Sequence, residues 1–145
     1  AQAQVSNQIE VVSATGVATD ATSGVEQIEL VVKKSAGSDP IDLSRASIQY
    51  TGDSASATLT YAGSASSTEF ETEELKDIGG SANGETVLDA NGDRMKITID
   101  ANAVQSGDIA EGEEVTLEIV DQSGATTVYG VNVPDTLGSQ SYVSV

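Results

Sequence analysis

Apolar residues recur at every second position along most of this chain, in short runs rich in β-branched side chains and bounded by Gly, Asn, Asp and Ser. A period of two marks a strand with one buried face, because successive side chains point to opposite sides of the sheet. The first run covers residues 5–15, with Val5, Ile9 and Val11 as its apolar positions before a turn at Gly16. In residues 25–32, Ile28, Leu30 and Val32 share a face. Ile48 with Tyr50, then Leu59 with Tyr61, do the same in residues 46–51 and 57–61. A run at 68–75 precedes a loop at 77–85 that contains Gly79-Gly80 and Asn83-Gly84. Residues 86–88 and 95–99 flank Asn91-Gly92, the dipeptide best suited to a two-residue hairpin turn. Residues 115–120, with Leu117 and Ile119 on one side, and residues 126–133, with Val131 and Val133 together and Val128 before them, complete the set.

Helical periodicity is weak, and only residues 42–45 and 101–105 have the pattern of single helical turns. About eight or nine short strands with turn residues between them predict an all-β fold, a β-sandwich in preference to a barrel. An Ig-like antiparallel topology fits, without the Cys and Trp that antibody domains carry. The 145 residues are enough for one domain, expected to run over residues 5–145, with a core that removes about two thirds of the unfolded surface.

Charge adds a second constraint. The chain carries 23 acidic residues against 6 basic ones, a formal net charge of -17. Acidic chains poor in aromatics are often disordered. Here the acids are dispersed among well-formed alternations, in clusters no longer than pairs such as Glu73-Glu74 and Glu113-Glu114. The composition reads as the surface of a halophile's protein, its repulsion screened by concentrated salt. An acidic secreted domain from ordinary salt is the other reading. Either way the charge opposes binding to nucleic acid or to anionic membrane surfaces. No segment approaches the roughly 18 consecutive apolar residues of a membrane span. With no Cys and no His, the chain has no disulfide, thiol nucleophile, Cys-type zinc site or His base.

The remaining chemistry is thin. Asp89-Ala90-Asn91-Gly92-Asp93 places Asp89, Asn91 and Asp93 at alternate positions around a tight turn, as ligands of Ca2+ or another hard cation would be. The same five residues also read as a hairpin turn with solvated Asp flanks. Met95, Ile97 and Ile99 alternate as a strand where a helical calcium loop would need ligands. Glu69, Glu71 and Glu73, with Glu111, Glu113 and Glu114, are the carboxylates a glycosidase pair would draw on. The spacing of the first three puts them on one strand face, where like charges belong in solvent. No nucleophile elbow, dinucleotide fingerprint or P-loop occurs. Lys33-Lys34 is the one basic pair, either exposed or set against acids of a partner subunit. None of Asn7, Asn83, Asn91, Asn102 and Asn132 stands in an N-x-S/T sequon. The residues thus give no enzyme and no required cofactor.

Five segments in order carry a resemblance. They are Val11-Val12-Ser13-Ala14-Thr15-Gly16; Glu29-Leu30-Val31-Val32-Lys33-Lys34-Ser35-Ala36-Gly37-Ser38; Ile41-Asp42-Leu43-Ser44; Glu114-Val115-Thr116-Leu117-Glu118-Ile119; and Tyr129-Gly130-Val131-Asn132-Val133-Pro134. Together they resemble the archaellins, the archaeal flagellins, in particular the haloarchaeal branch. Val133-Pro134-Asp135-Thr136-Leu137 and the Ser-rich tail to Val145 are similar to the family's C-terminus. The resemblance implies a filament subunit with an N-terminal apolar helix in the filament core and a β-sandwich in the outer sheath. On that pattern Ala1 to Gln4 is the polar end of the upstream helix or its linker, and the rest is the outer domain. The implied partners are further archaellin subunits in a helical, extracellular filament, with no membrane insertion by this part. The competing reading is a surface adhesion, pilin-like or ligand-binding β-sandwich, which calls for an exposed aromatic cluster or a polar pocket.

Overall fold

The computed structural model describes residues 9–18, 24–37, 39–53, 55–76, 87–88, 92–134 and 142–145. The expected helix end at residues 1–4, the start of the first predicted strand and the loop at 77–85 lie outside them. Among the described residues eleven strands form: β1 (Ile9–Val17), β2 (Gln27–Lys34), β3 (Ile41–Asp42), β4 (Ser47–Gly52), β5 (Ser56–Tyr61), β6 (Glu69–Lys76), β7 (Val87–Leu88), β8 (Arg94–Ile99), β9 (Glu114–Val120), β10 (Thr126–Asn132) and β11 (Tyr142–Ser144). Nine make one sheet in the order β10-β9-β4-β5-β6-β8-β2-β1-β11, and β3 pairs with β7 separately. The long sheet curls, giving the sandwich-like all-β class that the alternation predicts. Its two layers join at β5 and β6, which pair in parallel through Thr60–Glu69 and Tyr61–Phe70, a departure from the purely antiparallel expectation. There the Tyr61 and Phe70 rings meet edge to face with centroids 6.1 Å apart.

The core is the set of inward alternate positions. Ile28, Leu30 and Val32 of β2 and Met95, Ile97 and Ile99 of β8 belong to the same buried cluster as Ile48 and Tyr50 of β4, Leu59 of β5, and Leu117 and Ile119 of β9. The two short helical pieces fall where the pattern put them. Asp42 caps a 3-10 turn at Leu43–Arg45, accepting from the Ser44 N–H at 2.9 Å and the Ser44 hydroxyl at 2.7 Å. Asp100 caps α1 (Ala101–Gln105), accepting from the Ala103 N–H at 3.1 Å.

Three expectations need correction. Residues 86–88 and 95–99 do not form a hairpin, because β7 pairs with β3 while β8 lies between β2 and β6. Both edges of β8 are taken by longer partners, and Leu88 is fully buried opposite Ile41 instead. Gly16 is not a turn. It continues β1, and a Cβ there would lie 2.9 Å from a Val25 methyl and 3.0 Å from a Val145 methyl, so its value is close packing. The alternation of β1 also breaks once. A bulge between Val11 and Ser13 leaves Val12 unpaired, so odd positions face inward before it and even positions after it. The short strands β3 and β11 were absent from the expected set, since two or three residues carry no readable period.

Candidate functional surfaces

The sheet face formed by β2, β8 and β6 gathers the charges. Glu73 of β6 stands opposite Lys96 of β8, and Glu29 of β2 is diagonal to Lys96 through its pairing with Thr98. The Lys96 ammonium lies 2.9 Å from Glu73 and 3.7 Å from Glu29. The hydrogen bond to Glu73 holds its pKa above the ordinary lysine value, helped by the charges of both carboxylates and opposed by partial burial. Glu71, opposite Thr98, completes the rim of a shallow depression of about 340 Å³ that Gln27 and Gly63 also line. Glu69, Glu71 and Glu73 thus share the outer face of β6, as their spacing predicts, while Phe70 and Thr72 point inward. Lys96 as the counter-ion of Glu73 has no signal in the sequence, because only the register of β6 against β8 brings the two together. On the other candidate carboxylate cluster, Glu113 accepts from the Ala110 N–H at 2.8 Å and so closes a local turn.

Of the candidate cation ligands, Asp89 and Asn91 lie outside the described residues, and Asp93 is 2% exposed. Among the described residues no group of three acidic side chains is arranged to hold a metal ion. The basic pair is split by the pleat. Lys33 is half-buried opposite Glu10, whereas Lys34 is buried, which corrects the expectation of an exposed pair.

Tyr50 ties the helical segment to the sheet. Its ring is fully buried, and its hydroxyl donates to the Gln105 side-chain oxygen at 2.6 Å, while the Gln105 amide donates to the Asp108 carbonyl at 3.0 Å. Burial first, and the Glu113 charge second, push the phenol far above the ordinary tyrosine pKa. Because ionisation is harder in the folded chain, this contribution is complete below the free-tyrosine value and is lost only as pH rises beyond it. Tyr50→Phe should cost about 1 kcal/mol by leaving Gln105 without its donor. Urea unfolding in concentrated salt checks this, and an unchanged midpoint would show that the bond is dispensable.

At the ends of the long sheet the curl brings β10 back toward β1 and β11. The Thr127 hydroxyl donates to the Ile9 carbonyl at 2.7 Å, and the Tyr129 hydroxyl to the Val145 carbonyl at 3.2 Å. Between β1 and β10 runs a groove of about 350 Å³ lined by Ile9, Glu10, Val11 and the first four residues of β10. Among the described residues no strand pairs with the outer edge of β10 or of β11.

The curled sheet, with its charges on the β2–β8–β6 face and its ends drawn together at β10 and β1, defines a sandwich-like all-β domain. The family model for archaeal-type flagellin matches residues 1–131. Flagellin B2 of Halobacterium salinarum is 36% identical over 148 residues, an alignment that takes in 100% of this chain and 73% of that protein. The chain belongs to the archaeal-type flagellin family. Its fold is similar to that of archaeal flagellin FlaB1 from Methanocaldococcus jannaschii, with a TM-score of 0.83 at 23% identity, covering 94% of each chain. The subunit in the archaeal flagellum of Methanospirillum hungatei matches with a TM-score of 0.66 at 22% identity, over 97% of this chain and 72% of that one.

Proposed function

We propose that this chain is a structural subunit of the archaellum, the archaeal motility filament, and works through repeated contact with other archaellin subunits. Residues 5–145 form the domain of the outer sheath, outside the cell, and residues 1–4 lead into it. The observation that carries this reading is the archaeal-type flagellin match over most of the chain. A filament subunit needs a rigid body and head-to-tail surfaces that propagate a helix when the rotation does not close. No catalytic step and no required cofactor enters this reading. The ligand-binding alternative calls for an exposed aromatic cluster or a convergent polar pocket; among the described residues Tyr142 is the aromatic that is largely exposed, and the polar depression on the β2–β8–β6 face is shallow.

Antibody against the chain should decorate purified filaments along their whole length, and the chain should be a major component of those filaments by mass spectrometry. Finding it on the cell surface but absent from the filaments would reject the archaellin role and favour the adhesin or pilin-like reading.

A further inference from the structure

The bases of the β2–β8–β6 face gather at one end of it. Arg94 of β8 pairs with Lys76 of β6, and Lys33 lies at the same end of β2. Further along, the shallow depression is lined by Glu29, Glu71 and Glu73 with Lys96, three carboxylates against one ammonium. Lys96 reaches Glu73 and Glu29, whereas among the described residues Glu71 has no hydrogen bond or ion pair. Thr98 stands between Glu29 and Glu71, opposite the first in β2 and the second in β6. It is 7% exposed, and its hydroxyl has no hydrogen-bond partner among the described residues. Gln27 adds an amide oxygen to the lining. Gly63 leaves the opening clear, since a Cβ on it would meet nothing within 4 Å.

Unused acceptors thus stand on both sides of one row. A guanidinium suits them, with five N–H donors in a rigid plane and no acceptor of its own. A bare metal ion suits them less. β2 and β6 flank β8 and so lie about 10 Å apart, whereas a hard cation holds its oxygens within about 2.6 Å. The chain has two arginines. Arg94 is half-buried and donates to the Asp93 carbonyl at 3.0 Å. Arg45 is exposed at the end of the 3-10 turn and, among the described residues, has no ion pair in a chain of 23 acids. Its turn packs against β5 and β7, with Leu43 fully buried beneath it.

We infer that Arg45 of one copy enters the Glu29–Thr98–Glu71 depression of the next, making a head-to-tail contact in the filament. The inference rests on the filament reading and adds the two surfaces. A contact between unlike surfaces propagates, because each copy keeps one of them free for a further copy. Inside a depression the pair is also screened less by salt than it would be on open surface.

The chain has no cysteine, so introduced thiols report cleanly. Ser44→Cys beside Arg45 and Gly63→Cys in the depression leave every proposed contact group in place. Filaments carrying both would be treated with a short bis-maleimide and run on a denaturing gel. A ladder of dimers, trimers and longer oligomers is expected. Arg45→Ala added to the same pair should cut the ladder about tenfold per subunit in the filament. No cross-link would overturn the contact and leave the filament reading standing. Dimers alone would mean a closed pair, and a ladder that survives Arg45→Ala would mean that the arginine is not the docking group; either overturns it. Gly63→Trp gives a second reading that spares the turn, since it fills the depression at an open position. Its subunit should melt as the parent does while its incorporation into filaments falls about tenfold, and unchanged incorporation would overturn the contact. Absence of the parent chain from filaments would overturn both readings.

Discussion

Moved from about 1 M to about 0.1 M salt, the domain should lose on the order of 5 kcal/mol of stability. The figure follows from the charge alone. Seventeen net negative charges on a sphere the size of a folded chain of 145 residues repel one another more than the same charges on the expanded unfolded chain. Screening sets the difference, since the Debye length grows from roughly 3 Å to roughly 10 Å across that range. Lys96 offsets part of this repulsion locally, serving both Glu29 and Glu73 on the β2–β8–β6 face. Against a total stability of about 5–15 kcal/mol the loss is large enough to unfold a marginal domain. In melting temperature it corresponds to a fall of about 15 °C. Sodium and potassium chloride at equal ionic strength should act alike, because the effect is screening. Thermal scans that coincide at the two salt concentrations would refute the account.

Gly24→Ala should cost at least about 3 kcal/mol. Gly24 has φ +117°, which side-chain-bearing residues rarely adopt, and a Cβ on it would lie 2.3 Å from the Ile109 carbonyl oxygen. That oxygen cannot retreat freely. Val25 and Ile109 exchange two backbone hydrogen bonds of 2.8 Å, and both side chains are buried. The substitution therefore has to break the bridge or displace the start of β2. Gly37 offers the comparison. It also has positive φ, at +83°, but a Cβ there meets nothing within 4 Å. Gly37→Ala should cost only about 1 kcal/mol, the backbone part alone. Equal losses for the two variants in urea unfolding would show that the clash contributes nothing.

The strands that could be read from sequence are those with one face wholly buried. β2, β4 and β9 alternate because Ile28, Leu30, Ile48, Tyr50, Leu117 and Ile119 all point into the same core. What stayed hidden depends on contacts distant in sequence. Asn91-Gly92 has the chemistry of a hairpin turn, yet longer partners claim both edges of β8, so local turn preference lost to sheet pairing. Gly16 carries the symbol of a turn but serves the approach of Val25 and Val145, residues 9 and 129 positions away. Lys34 continues the buried face of Ile28, Leu30 and Val32, so the alternation itself runs inward at this position, and only its charge suggests an exposed pair. The groove between β1 and β10 had no signature, since β1 and β10 come together only through the curl of the whole sheet. The family resemblance at the five quoted segments supplied the functional class, and charge supplied the expectation of a salt-rich solvent, neither of which the strand pattern contains.

The bulge in β1 has one more consequence. β1 has nine residues and β2 has eight, and the eight Cα pairs between them use every residue of β1 except Val12. Without Val12, Val11 would join Ser13 directly and the strand would alternate in a single phase from Ile9 to Val17. The ladder therefore does not need this residue, and the core on either side does not depend on it. Val12 is a position where the outside of the molecule can be rewritten while the inside stays the same. A substitution there changes the outer surface alone and leaves both the ladder and the core as they are.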